Sequence, residues 1–214
     1  MSEKNVPTDL VKKLRELTGA GISDCRNALL TCDLDIDKAV EELRKKGIAQ
    51  AEKKAFNTTN EGIVESYIHH DSKLGVLIEI DCETDFVAKT QEFRNLAREI
   101  AMQIAMDDPD YISREDIPPE IIEREKDIYR TQLESENKPS NVIDKILEGK
   151  LENFYKSVCL LELPYMRDQK ITIKDLISQY VGQLKENIRV KRFARFKVGE
   201  EWKKIMRQDL KGCY

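Results

Sequence analysis

From Leu74 to Asp81 apolar residues fall on every second position, with Leu74, Val76, Ile78 and Ile80 alternating with Gly75, Leu77, Glu79 and Asp81. That period of two predicts a strand with one buried face. The period then changes. Thr90 is a suitable N-cap, and Phe93, Leu96, Ala97, Ile100, Ala101 and Ile104 recur at spacings of three and four, which predicts a helix with one apolar stripe. Upstream, a strand from Ile63 to His69 and a turn around Asp71-Ser72-Lys73 complete a hairpin. Asn187 to Lys197 reads as a third strand, with Ile188 and Val190 in step and Phe193 and Phe196 less regular. Before it, Thr172 to Leu184 places Ile173, Leu176, Ile177, Tyr180 and Leu184 on one helical face, expected to cover the sheet. The expected class is α+β, an antiparallel three-stranded sheet packed with helices.

Residues 7 to 47 carry only the helical period. Thr8 is expected to cap a first helix with the stripe Leu10, Val11, Leu14 and Leu17, which Gly19 ends in the left-handed conformation. Ser23 is expected to cap a second, with Cys25, Ala28, Leu29 and Cys32 inward, and Asp35 or Asp37 opens a third that carries Ala39, Val40 and Leu43 and stops at Gly47. The pattern resembles a ubiquitin-associated-type three-helix fold. Residues 48 to 60 read as a helical extension fading into the polar run Asn57-Thr58-Thr59-Asn60, across which domain motion is expected. The expected division is a three-helix module with linker helix over 1–55, an α+β core over 56–198 and a tail over 199–214. Within the core, Asp107-Asp108-Pro109 and Pro118-Pro119 break the chain, and the sparse stripes Ile121, Ile122, Ile128, Leu133 and Val142, Ile143, Ile146, Leu147, Leu151, Phe154 predict charged helices with a narrow buried face.

Composition narrows the function by exclusion. Charged residues make up 36% of the 214 positions with a net charge of -4, so the surface is charged and of mixed sign. There is no apolar run of about 18 residues and no basic start leading into an apolar stretch, so neither a membrane span nor a secretory signal is expected. Five cysteines with no C-x-x-C spacing read as reduced thiols of a cytoplasmic protein. His69 and His70, the only histidines, are expected to point to opposite faces of a strand and so not to share a metal. No phosphate-binding loop and no nucleophile motif is present, and the close carboxylates Glu83 and Asp85 are a weak catalytic signal. Neither a metal, a cofactor nor catalytic chemistry of the chain's own is expected. Arg189, Lys191, Arg192, Arg195, Lys197, Lys203, Lys204 and Arg207, interleaved with Phe193, Phe196 and Trp202, resemble a nucleic-acid surface, but a charge-protected edge strand has the same appearance.

The run Cys82-Glu83-Thr84-Asp85-Phe86-Val87-Ala88-Lys89 joins the predicted strand to the predicted helix. From position alone, Asp85 caps a short turn and the Phe86 ring folds back on the core. With Thr18-Gly19-Ala20-Gly21, Asp24-Cys25, and Glu186-Asn187-Ile188-Arg189-Val190-Lys191-Arg192-Phe193, however, this run resembles the translation elongation factor Ts family, in the family's order over about residues 7 to 198. The resemblance implies a guanine-nucleotide exchange factor that docks on the GTPase elongation factor Tu and releases its GDP. It implies that Thr84, Asp85, Phe86 and Val87 form an intruding corner with Phe86 as a wedge near the partner's magnesium site. Arg15, Ile22 and Ser23 occupy positions that face the GTPase domain, and His69, Leu184 and Lys185 occupy positions that touch another domain of the partner. Methionine is more usual at Ile22 and Ser23, and glycine at Leu34 and Lys185. Longer members carry two copies of the core subdomain where this chain has one, which leads to the expectation of a homodimer, two factors with two GTPases. The competing readings are a ubiquitin-associated-like adaptor and a ribosome- or nucleic-acid-binding protein; the exchange reading expects no direct nucleic-acid contact and no membrane.

Overall fold

The computed structural model describes residues 6–135 and 140–200. Its elements run α1 (Thr8–Thr18), α2 (Ile22–Thr31), α3 (Ile36–Lys54), β1 (Glu61–Ile68), β2 (Leu74–Cys82), α4 (Asp85–Ala88), α5 (Gln91–Asp107), α6 (Pro119–Ser135), α7 (Ser140–Val158), β3 (Pro164–Tyr165), β4 (Asp168–Thr172), α8 (Ile173–Leu184) and β5 (Ile188–Lys197). The class is α+β as expected, with an antiparallel sheet in the order β1-β2-β5. Among the described residues no helix is long and apolar enough to cross a membrane.

The alternation in β2 places Val76, Ile78, Ile80 and Cys82 in the core beneath α5, whose Phe93, Leu96, Ala97, Ile100, Ala101 and Ile104 are all buried. Thr90 caps that helix by accepting from the Phe93 N–H. The irregular period of β5 has a cause. Glu79 pairs with Arg192 but Ile80 with Val190, so Lys191 is an extra residue in a bulge and the inward set shifts from Ile188 and Val190 to Phe193 and Arg195. Helix α8 departs from expectation. Its Ile173, Leu176, Ile177 and Val181 enter the core, but Tyr180 and Leu184 are only half-buried, and the helix lies chiefly against α3 while α5 covers the sheet.

In the N-terminal module Val11, Leu14, Cys25, Ala28, Leu29 and Ala39 form a second core. Three boundaries differ from the reading of the sequence. Pro7 precedes α1 and Gly21 precedes α2, so Thr8 and Ser23 lie inside their helices and neither caps. Leu17 is 61% exposed because its stripe outruns the small core. Helix α3 does not stop at Gly47 but continues to Lys54, and Asp35 caps its start by accepting from the Lys38 N–H. Gly47 serves close approach rather than termination: a Cβ at Gly182 of α8 would lie 2.9 Å from the Gly47 Cα. Gly182→Ala is therefore expected to pry α3 from α8 and cost about 1–3 kcal/mol, as overpacking does; an unchanged urea midpoint would contradict the tight crossing.

Helices α6 and α7 pair with each other, with Leu133, Ile143, Leu147 and Leu151 buried while Ile128 is 43% exposed. Helix α7 is held by Arg114, which donates to its Glu152 and to Glu162 beyond the helix end and lies 4.5 Å over the Tyr155 ring. Three basic residues of β5 are drawn into pairs within the molecule: Arg192 with Glu79, Arg195 with Asp108 and Glu200, Lys197 with Glu200. Trp202, Lys203, Lys204, Arg207 and Cys213 lie outside the described residues. Cys25, Cys82 and Cys159 are free and buried, and Cys32 is free and half-buried. Burial pushes the Cys82 and Cys159 thiols up to about 11 and about 12.

Candidate functional site

At the end of β2 the chain turns through Glu83 into the single turn of α4. Thr84, not Asp85, is the cap, its hydroxyl accepting from the Val87 N–H. Val87 and Ala88 point into the core at 6% and 5% exposure. Successive side chains of a helix diverge by about 100°, so anchoring these two residues leaves the one before them outward. Phe86 is 78% exposed, and the position-only expectation that its ring folds back on the core is wrong. Asp85 is exposed as well and pairs with Lys89 at 2.5 Å; that contact holds its carboxyl below the ordinary range.

Two glutamates brace this corner from behind. Glu186 accepts from the N–H groups of Glu83 and Thr84 at 3.1 and 3.0 Å and from the Thr84 hydroxyl at 2.6 Å. Glu83 in turn accepts from the Asn187 N–H at 2.6 Å, the Asn57 amide at 3.0 Å and the Lys54 ammonium at 3.1 Å. Desolvation alone raises the Glu83 carboxyl, but these donors outweigh it and hold the group below the usual carboxylate range. The end of α3, the corner and the start of β5 thus share one knot. The expected fading linker is pinned: the Asn187 side chain donates to the Asn57 and Ala55 carbonyls at 2.8 and 3.4 Å. The sequence places Glu186 and Asn187 in a family-like run but assigns neither of them a bracing role, because neither periodicity nor motif spacing distinguishes a bracing side chain from a solvated one.

The other residues singled out divide into two groups. Arg15, Ile22 and Ser23 are exposed at the tip of the module, where Ile22 is 60% exposed and Leu17 stands beside the same turn. Lys185 is exposed with a left-handed φ of 61°, the backbone a glycine adopts cheaply. Its ammonium reaches Gln50 at 2.9 Å and Asp24 at 3.4 Å. Leu184 is half-buried next to it. The short run Leu184 to Asn187 therefore touches α2 through Lys185 and the corner through Glu186, bringing the two regions together. Leu34 likewise has a positive φ of 65°. His69 belongs elsewhere: Glu61 pairs with Cys82 but Ile68 with Gly75, so the histidine stands at the opposite end of the hairpin, roughly 25 Å away at about 3.3 Å per residue.

The histidine expectation needs correction. Strand β1 ends at Ile68, so His69 and His70 do not alternate; their ring centroids are 4.3 Å apart, and His69 Nδ1 is 2.9 Å from the Tyr67 hydroxyl. Among the described residues no group of three or more histidine, cysteine or acidic side chains is arranged to hold a metal ion. Glu83 and Asp85 are bound to different partners, Glu83 within the knot and Asp85 to Lys89, and do not form an acid–base pair. What the corner can do is present an aromatic ring on a fixed backbone.

A family profile described as elongation factor TS matches residues 2–200. A protein of Caldanaerobacter subterraneus subsp. tengcongensis named elongation factor Ts is 56% identical over 91% of this chain and 98% of its own length. Proteins of the same name from Pseudothermotoga lettingae and Thermotoga maritima are each 53% identical, over 92% and 91% of this chain and 99% and 97% of their own.

Proposed function

The chain belongs to the elongation factor Ts family and is a guanine-nucleotide exchange factor for elongation factor Tu; we propose that it acts through the Thr84–Val87 corner, with Phe86 as the intruding group. The observation that carries this reading is an exposed phenylalanine on a turn whose backbone is fixed by Glu83 and Glu186. Exchange needs no nucleophile or general base. It needs binding that is tighter when GDP is absent, and by reciprocity GDP then binds more weakly when the factor is present. A ring already held away from its own core gives up no internal packing when the partner covers it. Burying it there yields about 1.5–3 kcal/mol, which offsets part of the cost of deforming the nucleotide pocket. Val87 anchors the corner from beneath, and Thr84 caps it.

Arg15, Ile22 and Ser23, on the three-helix module, form a second contact with the GTPase domain. Leu184, Lys185 and, at the far end of the hairpin, His69 meet another domain of the partner. The factor has no catalytic chemistry of its own, works in the cytoplasm and needs neither nucleic acid nor membrane. The test is release of a fluorescent GDP analogue from elongation factor Tu: substoichiometric protein should accelerate it with no nucleotide hydrolysed, and unchanged release from a folded partner contradicts the reading.

The homodimer is supported by the outer face of the sheet. Val64, Ile68, Leu77 and Phe196 are 48–67% exposed there and neighbour one another across β1, β2 and β5, while Glu79, Asp81, Arg189 and Arg192 make the other half of that face charged. An apolar half-face of this kind suits a self-complementary interface. Sedimentation equilibrium should give about twice the 24.8 kDa chain mass. Leu77→Asp should return it to the single mass without unfolding; a monomer at every concentration contradicts the dimer.

A further inference from the structure

Phe86 is not the most exposed aromatic ring. Phe56, just beyond the end of α3, is 94% exposed, the highest value for a large apolar side chain among the described residues. Its backbone is nonetheless held on both sides. The Asn57 N–H donates to the Lys54 carbonyl at 2.8 Å, and the buried Asn187 side chain donates to the carbonyls of Ala55 and Asn57. The Asn57 amide is bound in turn to Glu83, the residue before the cap of α4. Both exposed rings therefore rise from the same hydrogen-bonded knot, one from each of the two chain segments that Glu83 joins. A ring at the end of a loose linker would be ordinary surface; a ring on backbone clamped from both sides is held in place for something to cover it.

We propose that Phe56 is a second aromatic anchor for the same GTPase, seated in an apolar depression of elongation factor Tu beside the one that receives Phe86. This rests on the reading of the corner above, and continuity with that corner through Glu83 and Asn57 selects the GTPase as the occupant. Phe56 adds affinity and Phe86 carries the distortion. The two roles separate in kinetics, because contact made equally with the ground and transition states moves KM and leaves kcat in place.

The test measures exchange kinetics of Phe56→Ala and Phe86→Ala beside the native protein, with melting temperatures as controls. Phe56→Ala is expected to raise KM for elongation factor Tu about 5- to 20-fold with kcat and melting unchanged. Native kinetics for Phe56→Ala beside slowed exchange for Phe86→Ala overturns this inference and leaves the corner standing; native kinetics for both overturns the corner itself. Para-fluorophenylalanine at position 56 gives an independent readout. Its fluorine signal should shift on addition of nucleotide-free elongation factor Tu and stay fixed as the protein alone is concentrated. A shift on concentration alone places the ring in a contact between copies of this chain and overturns the proposal.

Discussion

Phe86→Ala is expected to slow GDP release from elongation factor Tu by roughly 10- to 100-fold while changing folding stability by no more than about 0.5 kcal/mol. The first figure is the burial of a phenyl ring, about 1.5–3 kcal/mol, converted at about 1.4 kcal/mol per factor of ten. The second follows from exposure. At 78% exposed the ring packs against little of its own chain, whereas a core phenylalanine costs about 3–5 kcal/mol when truncated. Chemical denaturation and stopped-flow release of a fluorescent GDP analogue on the same samples separate the outcomes. Loss of stability with normal exchange per folded molecule would make Phe86 an ordinary packing residue.

Glu83→Ala should do the reverse at first and reach function second. Three donors lose their acceptor: the buried Asn187 N–H, the Asn57 amide and the Lys54 ammonium. Stranding a buried donor costs about 1–3 kcal/mol, so a clear fall in melting temperature is expected, and exchange should weaken severalfold because the backbone under both exposed rings loosens. The same carboxylate leaves a signature in pH. Its folded pKa lies below the ordinary glutamate value of about 4.5, so the unfolded state binds the proton more readily and the contribution is fully present above about pH 4.5. It is lost as pH falls from there through the folded value. Melting temperature against pH should therefore decline less steeply below pH 4.5 in Glu83→Gln than in the native protein. Parallel curves would show that Glu83 is not held as charged carboxylate in the knot.

Much of this architecture was legible in the sequence because it follows from two periods. The alternation of β2, the stripe of α5 and the cap at Thr90 depend on local spacing, and the structure keeps them. Sequence and structure part where a residue has two uses. Gly47 has the type of a helix stop, but glycine also lets helices touch, and only the position of Gly182 across the crossing decides between them. Thr8 and Ser23 are good caps by type, yet Pro7 and Gly21 already occupy the capping positions. The exposure of Phe86 was not legible from spacing; it depends on Val87 and Ala88 having a core to enter. The bracing by Glu186 joins positions 102 and 103 residues apart, which no local pattern encodes.

The central claim is that Phe86 makes binding to elongation factor Tu depend on the absence of GDP. The direct measurement is calorimetric affinity of the native protein and of Phe86→Ala for the nucleotide-free and the GDP-bound partner. The native protein should strongly prefer the nucleotide-free form. Phe86→Ala should lose at least tenfold of that preference, mostly by weaker binding to the nucleotide-free partner. A preference that survives intact in Phe86→Ala, whether or not both affinities fall together, would contradict the claim.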